Sequence, residues 1–258
     1  MVKEQKLSYS RACKLTKLSR NGKYYQKTMV SKDVVVKEAI ESVIGTTRKG
    51  RQKVIRLVQN KHPHMGSSRI RRVYERYGFS LHRRLKRRVS HHPSNPIVVP
   101  LQAGEEWGVD FMSDALVDGR KIRTLNVIDH YNRFCVGIAV ATNFPAIRVI
   151  AYLERYIEKY GMPKRIRTDN GPEFTSRRFQ KWLQDKGIEW SKIPPGRPDQ
   201  NAIVERFNRS YREDVLDANL FLTTEEAQRL TDKWTEYYNN ERPHQSLHYQ
   251  TPVAYAAA

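Results

Sequence analysis

Cysteine is nearly absent from this 258-residue chain. The two present, Cys13 and Cys135, lie far apart and form no metal-spaced pair, which argues against a disulfide framework and for a reducing compartment. His62, His64, His91 and His92 have no cysteine partners, so a zinc site is not expected either. Long apolar runs are missing too. Mean hydropathy is −0.73 and no stretch approaches the length of a membrane span, so no membrane partner is expected. The first twenty residues are basic but carry no apolar segment, which is not the pattern of a secretory signal. Acid is scarce in one half only: residues 1–100 hold 25 Lys and Arg against 5 Asp and Glu, while residues 101–258 hold 22 of each.

The net charge of +20 therefore belongs to the first hundred residues. A strongly basic front joined to a neutral globular half reads as a polyanion-binding region attached to a catalytic body, with nucleic acid as the polyanion. Residues 8–27 suggest two short helices across a turn. They read as a helix-turn-helix exposing Arg20, Asn21 and Lys23, or as a helical strut. Another helix is predicted over 33–44. Residues 51–89 predict three more: Lys53 to Asn60, one from Ser67 or Ser68 through Tyr77 bearing Arg69 and Arg72, and Leu81 to Val89. In the last of these, Arg83, Arg84, Arg87 and Arg88 surround a Leu/Val stripe, a composition suited to DNA phosphates. Pro93, Pro96 and Pro100 then mark a linker. The chain divides into a helical segment at 1–46, a basic helical unit at 47–92, the linker at 93–104, a core at 105–219, and a C-terminal helix and tail at 220–258.

The neutral half begins as strands. Trp107 to Met112 and Ala115 to Val117 lead to Asp118-Gly119, a hairpin signal, and strands follow at Ile122–Ile128 and Phe134–Val140. A helix over Ala146–Tyr160, a strand at Arg165–Thr168, a helix over Phe174–Lys186, a strand at Ile188–Ser191 and a last helix complete the order βββαβαβα. That order predicts an α/β fold, a mixed sheet covered by helices, behind a small all-α region.

Three carboxylates stand at telling places. Asp110 falls within the first strand, Asp169 just past the fourth, and Glu205 one turn inside the last helix, beside the apolar stripe Val204, Phe207, Tyr211 and Val215. Converging there, they would repel each other unless cations bind between them, and hard oxygen ligands suit Mg²⁺ or Mn²⁺. Taken singly, each acid is as well explained as a turn former or a solvated charge. Asp114, Asp129, Glu173 and Asp199 are rivals that residue chemistry alone does not exclude.

The spacing and its flanks carry a resemblance. Thirty-five residues separate Asp169 from Glu205, and 58 separate Asp110 from Asp169. With the run Thr168-Asp169-Asn170-Gly171-Pro172-Glu173-Phe174, the loop Pro195-Gly196-Arg197-Pro198, and Glu205-Arg206-Phe207-Asn208, this is similar to the D,D(35)E triad of retroviral integrases and bacterial transposases. The tail from Tyr237-Tyr238-Asn239-Asn240-Glu241-Arg242-Pro243-His244 to Thr251-Pro252, and the opening Ser10-Arg11-Ala12-Cys13, resemble the second-frame protein of the insertion-sequence-three family of transposases. The resemblance covers nearly the whole chain. Arg206 stands where that family often has Ser, and His248 where Gly is common.

The resemblance implies an RNase H-like integrase core whose triad, Asp110, Asp169 and Glu205, holds two Mg²⁺ (or Mn²⁺). It implies cleavage of insertion-element ends, followed by attack of the exposed 3′-hydroxyl on target DNA. Double-stranded DNA is the implied partner, with Arg206 and Asn208 steering it. A homo-oligomer, at least a dimer on DNA, is expected, with the first-frame product as a further partner or fusion. The expected location is cytoplasmic, with the bacterial nucleoid. A DNA-binding regulator or a nuclease on the same fold are the rival readings. The stretch from Asn239 to His248 is read mainly as a structural wrap, with phosphate contact by Arg242, His244 and Gln245 as the alternative.

Overall fold

A computed structural model describes residues 8–17, 28–45, 49–80, 100–193 and 201–257. Four helices come first: α1 (Tyr9–Thr16), α2 (Thr28–Ile44), α3 (Arg51–Lys61) and α4 (Ser67–Arg76). Ser8 caps α1 by accepting from the Arg11 amide at 3.4 Å. In α2, Val36, Ala39, Ile40, Val43 and Ile44 form an i, i+3, i+4 stripe, which packs on Val54, Leu57 and Val58 of α3 and Ile70 and Val73 of α4. The division expected at 46/47 thus runs through a single apolar core. The α2 stripe buries against the α3–α4 pair, so these three helices share that core. The second element of the expected helix-turn-helix, the helix over Leu81–Val89 and linker residues 93–99 lie outside the described residues.

The sheet contains β1 (Glu106–Ala115), β2 (Lys121–Asp129), β3 (Cys135–Ala141), β4 (Arg165–Thr168) and β5 (Glu189–Lys192), in the order β3-β2-β1-β4-β5. β1, β2 and β3 pair antiparallel, while β4 joins β1 in parallel and β5 joins β4 in parallel. The expected break after Met112 is absent. β1 runs on to Ala115, and a five-residue turn, 116–120, with Gly119 at φ 84° reverses the chain. The helices are α5 (Ala146–Tyr160), α6 (Pro172–Thr175), α7 (Arg177–Lys186), α8 (Ala202–Tyr211), α9 (Thr224–Asn240) and α10 (Pro252–Ala256). The single helix expected over Phe174–Lys186 is two, because Ser176 adopts an extended conformation and caps α7 through the Phe179 amide at 3.3 Å. Past Tyr211, α8 widens into a π-turn over Arg212–Leu216, where the Asp217 amide donates to the Arg212 carbonyl at 2.8 Å.

The pleat sorts side chains onto two faces. Trp107, Val109, Leu125, Val127 and Ile166 face α5 and α7 and pack with Val149, Leu153, Phe179 and Leu183. Met112, Ile122, Ile128 and Ile138 face α8 and α9 and pack with Val204, Phe207, Tyr211 and Trp234. Thr223 caps α9 through the Glu226 amide at 3.1 Å. Two amide side chains of α9 close the outer edge of β3. Asn239 accepts from the Cys135 amide (2.8 Å) and donates to its carbonyl (2.9 Å), and Gln228 accepts from Val140 N–H (2.7 Å) and donates to the Ile138 carbonyl (2.9 Å). Among the described residues no helix is long and apolar enough to cross a membrane.

Candidate active site

β1 sets the site. Its even-numbered residues, Glu106, Gly108, Asp110 and Met112, face α8, and Gly108 decides how near that helix comes. A Cβ there would stand 2.4 Å from Val204 Cγ2 and 2.1 Å from His130 Nε2, so only glycine lets α8 lie on the strand. α8 is anchored further along by Arg212, which donates to the Ser113 carbonyl at 2.8 Å.

Asp110 lies opposite Asn126 in the β1–β2 register. Asn126 Nδ2 donates to Asn208 Oδ1 at 2.7 Å, and Asn208 Nδ2 donates to Asp110 Oδ2 at 2.7 Å. A two-amide relay from the middle of the sheet therefore fixes one oxygen of the carboxylate. The parallel register pairs Gly108 with Arg167, so two places further on Asp169 falls beside Asp110. The turn that carries Asp169 is tied down three ways. Its Oδ1 accepts from the Gly171 amide (3.0 Å), Asn170 donates to the Ile193 carbonyl (2.9 Å), and Phe174 stacks on Phe111 at 5.1 Å between centroids. Glu205 is exposed in the first turn of α8.

These carboxylates feel one another. Burial raises the Asp110 carboxyl first, with Asp169 and then Glu205 adding like charge; the Phe111 amide and Asn208 oppose this, and the net result is about 6. The field of Glu205 at Asp110 is thus the weaker of the two. Three hard-oxygen donors of one sign suit a divalent cation. Among the described residues, however, no three His, Cys, Asp or Glu side chains are drawn tightly enough together to share one ion. Asp110 and Asp169 stand side by side, and Glu205 is the more loosely placed.

The rival acids have other partners. Asp129 accepts from the Gly104 and Tyr131 amides at 2.6 and 2.8 Å, and Asp114 accepts from the Ala115 amide at 2.8 Å. Glu173 pairs with Arg123, whose guanidinium lies 4.2 Å from the Phe111 ring. Asp199 lies outside the described residues.

The expected DNA-binding residues divide. Asn208 is corrected: it is buried under Asp110, because both ends of its amide are taken up by the relay. Arg69 donates to the Lys32 carbonyl at 2.5 Å, and Arg72 pairs at 2.6 Å with the buried Asp33, so both hold α4 to α2. Arg206 is exposed on α8 and turns towards a cleft against α3. Arg20, Lys23, Arg83, Arg84, Arg87 and Arg88 lie outside the described residues. In the tail, Arg242 is buried against Asp214 and Ser210 (3.0 Å), and burial pushes the His244 imidazole down to about 3, which favours the structural wrap.

Sequence reasoning missed Glu106, His130 and Asn126. Glu106, fully buried, accepts from His130 Nδ1 at 2.7 Å and lies 3.1 Å from both Arg165 and Arg167. Burial pushes the Glu106 carboxyl up, but His130, Arg167 and Arg165 outweigh it and hold it low. Burial holds the imidazole below its ordinary value, so the pair is an ionised carboxylate beside a neutral ring. His130 Nε2, buried and without a hydrogen-bond partner, faces Gly108 and Val204. One signal was available: Asn126 interrupts an otherwise apolar run from Leu125 to Ile128.

Known proteins are similar to this chain. The model of the integrase core domain matches residues 100–198, and a second integrase core domain model matches 186–252. The 31.7 kDa protein of insertion element IS407 from Burkholderia multivorans is 34% identical over 252 residues, covering 97% of this chain and 91% of that protein. The 39.2 kDa protein of insertion element IS476 from Xanthomonas euvesicatoria is 32% identical over 258 residues, covering 100% of this chain and 75% of that protein. Among solved structures, a chain from the simian T-cell lymphotropic virus intasome in complex with the B56 gamma regulatory subunit of PP2A superposes with a TM-score of 0.56. Its identity is 17% over 85% of this chain and 74% of that one, a likeness of fold.

Proposed function

The chain belongs to the insertion-element transposases built on an RNase H-like integrase core, and from that premise we propose that it cuts the ends of its element and joins them to target DNA. The observation that carries this reading is the mutual electrostatics of the acids: Asp110 is raised to about 6 by burial together with Asp169 and Glu205. Anionic oxygen donors that face one another are stabilised by cations, and Asp110 and Asp169, joined by Glu205 as α8 closes in, would hold Mg²⁺ or Mn²⁺. When bound, two such ions supply the Lewis acidity that phosphodiester cleavage and 3′-hydroxyl attack require.

The chain's own residues do the positioning. Asn208 fixes one oxygen of Asp110, and the Phe111 amide adds a second hydrogen bond to the carboxylate. The Gly171 amide orients Asp169. Gly108 brings α8, and with it Glu205, onto the strand that carries Asp110. The ionised Glu106 behind this contact is balanced by Arg165 and Arg167, each 3.1 Å away, so no further net negative charge is added beside the acids. Basic residues of the first hundred supply backbone affinity for duplex DNA, and joining two ends calls for at least two protomers on DNA. The first-frame product is a further partner. The working compartment is the cytoplasm, at the nucleoid.

The test is an assay with labelled element ends, target DNA and Mg²⁺. Cut ends and joined product are expected from the wild type and neither from Asp169→Asn. Joining by the Asp169→Asn protein would overturn the assignment. Binding without cleavage would favour a regulator, and cleavage without joining a nuclease.

A further inference from the structure

The helical unit and the integrase core meet along a seam. There a cleft of about 730 Å³ opens between the N-terminal end of α3 and the outer side of α8. Six cations line it against three acids, and the acids are mostly engaged. Glu75 is held by Arg51 at 2.7 Å and by Arg71 at 3.3 Å. Asp214 is held by Arg242 and by the Trp234 indole at 3.2 Å. Glu213 is the remaining carboxylate. Lys53, Arg206 and Arg209 line the same cleft and make no ion pair among the described residues.

Such crowding is unfavourable in an empty cleft. Burial, then Arg242 and Arg206, lower the Lys53 ammonium to about 8 against the pull of Asp214 and Glu213. α3 adds to the positive field: its N-cap is Gly50, which offers no side-chain acceptor to the first-turn amides. The seam is held by aromatic contacts at the border of the cleft. Tyr237 packs on the helical core, and the Arg56 guanidinium lies 5.5 Å from the Tyr249 ring.

We propose that this cleft is a phosphate site for the DNA backbone, with Lys53, Arg206 and Arg209 as its cations, clamping the strand between the helical unit and the core. The proposal rests on the function given above and adds a place to it. Arg206 follows Glu205 by about 100° around α8, and Arg209, four residues on from Glu205, lies one turn along the same face, with about 5–6 Å between Cβ positions. At about 3.4 Å of rise per nucleotide, the clamped phosphates lie on the order of two nucleotides from the one attacked.

The test compares the full-length wild type with Lys53→Gln/Arg209→Gln and with Arg209→Glu, a reversal at an exposed position. The probes are an element-end duplex and, separately, inorganic phosphate. Affinity for the duplex should fall about tenfold per cation removed. The slope of log affinity against log salt should fall by about 0.9 for each. Melting temperature without DNA should hold or rise, because a repulsion has been relieved; a merely structural role would lower it. A single methylphosphonate about two nucleotides from the cut should weaken binding to the wild type and leave binding to the double variant unchanged.

Unaltered affinity and salt slope in both variants would overturn the site. So would inorganic phosphate protecting the wild type against heat as well as the duplex does, since the ligand would then be a free anion. Asp110→Asn separates this from the wider reading: it should bind the duplex as the wild type does, whatever becomes of cleavage. Wild-type joining with undiminished binding by the double variant removes the cleft and keeps the transposase. Lost affinity with no chemistry in any protein does the reverse.

Discussion

The two faces of the sheet are made from the same strands and serve opposite ends. Towards α5 and α7, β1 and β2 present Trp107, Val109, Leu125 and Val127, and buried charge enters only at the strand end, where Asp129 lies opposite Trp107. Towards α8, one residue along, they present Glu106, Asp110 and Asn126, closed by Asn208 and His130. The first face gains free energy from area, roughly 25 cal/mol for each Å² of apolar surface removed from water. The second spends part of that gain to keep charge where water is scarce, which is how a fold holds reactive groups ready. Stability and chemistry are thus divided by the period of the pleat.

Asp110→Asn is the largest break in that division. Cleavage and joining should fall on the order of a thousandfold or more, as expected when a group that stabilises the transition state is lost. Metal-free stability at pH 7 should rise by up to about 3 kcal/mol. The sign follows from the folded value of about 6 lying above an unfolded value near 3.9. The penalty is absent when both states are protonated and is fully felt above pH 6, so the gap between the two proteins closes on acidification from pH 7 to 4. Chemical denaturation across that range checks it, and a Mg²⁺-dependent rise in melting temperature should appear in the wild type and not in the variant. On the opposite face, Phe179→Ala should cost about 3–5 kcal/mol while the rate per folded molecule stays unchanged.

A matched pair of glycines sharpens the comparison. Gly108→Ala would drive a methyl into Val204 and His130, and Gly137→Ala would drive one into the Tyr156 ring at 2.4 Å. Each should cost about 1–3 kcal/mol. Only Gly108→Ala should also slow DNA cleavage, by tenfold or more, because it lifts α8 and Glu205 from Asp110. Equal rates in the two would show that the helix approach does not matter. The smallest effect is expected at His248, which holds φ 52° in the left-handed region. His248→Gly should stabilise by about 0.5–1 kcal/mol in urea titration, with no change in rate.

Much of this was legible beforehand where local chemistry and tertiary structure agree. The element order βββαβαβα, the hairpin at Asp118-Gly119 and the buried stripe of α8 follow from patterns that sequence shows directly. The places of Asp110, Asp169 and Glu205 on their elements were equally readable. What stayed hidden depends on register. Asn208 reads as a polar residue beside Glu205, and only the pairing of Asp110 with Asn126 shows it turned inwards. Glu106 and His130 are 24 residues apart, and nothing local marks them as partners. Arg69 and Arg72 read as a DNA-facing pair because their attachment points on α2, the Lys32 carbonyl and Asp33, lie far back in the chain. The break at Ser176 was missed for a simpler reason: a capping serine looks like any other serine until the chain around it is extended.

The amide clamps of α9 have a consequence for assembly. Asn239 and Gln228 occupy the hydrogen-bonding places on β3 that a sixth strand would need. Along that border the sheet has been sealed by side chains of its own chain, so a second copy cannot be recruited there by lengthening the sheet. β5 forms the other border of the sheet, so any lengthening of it is left to that side.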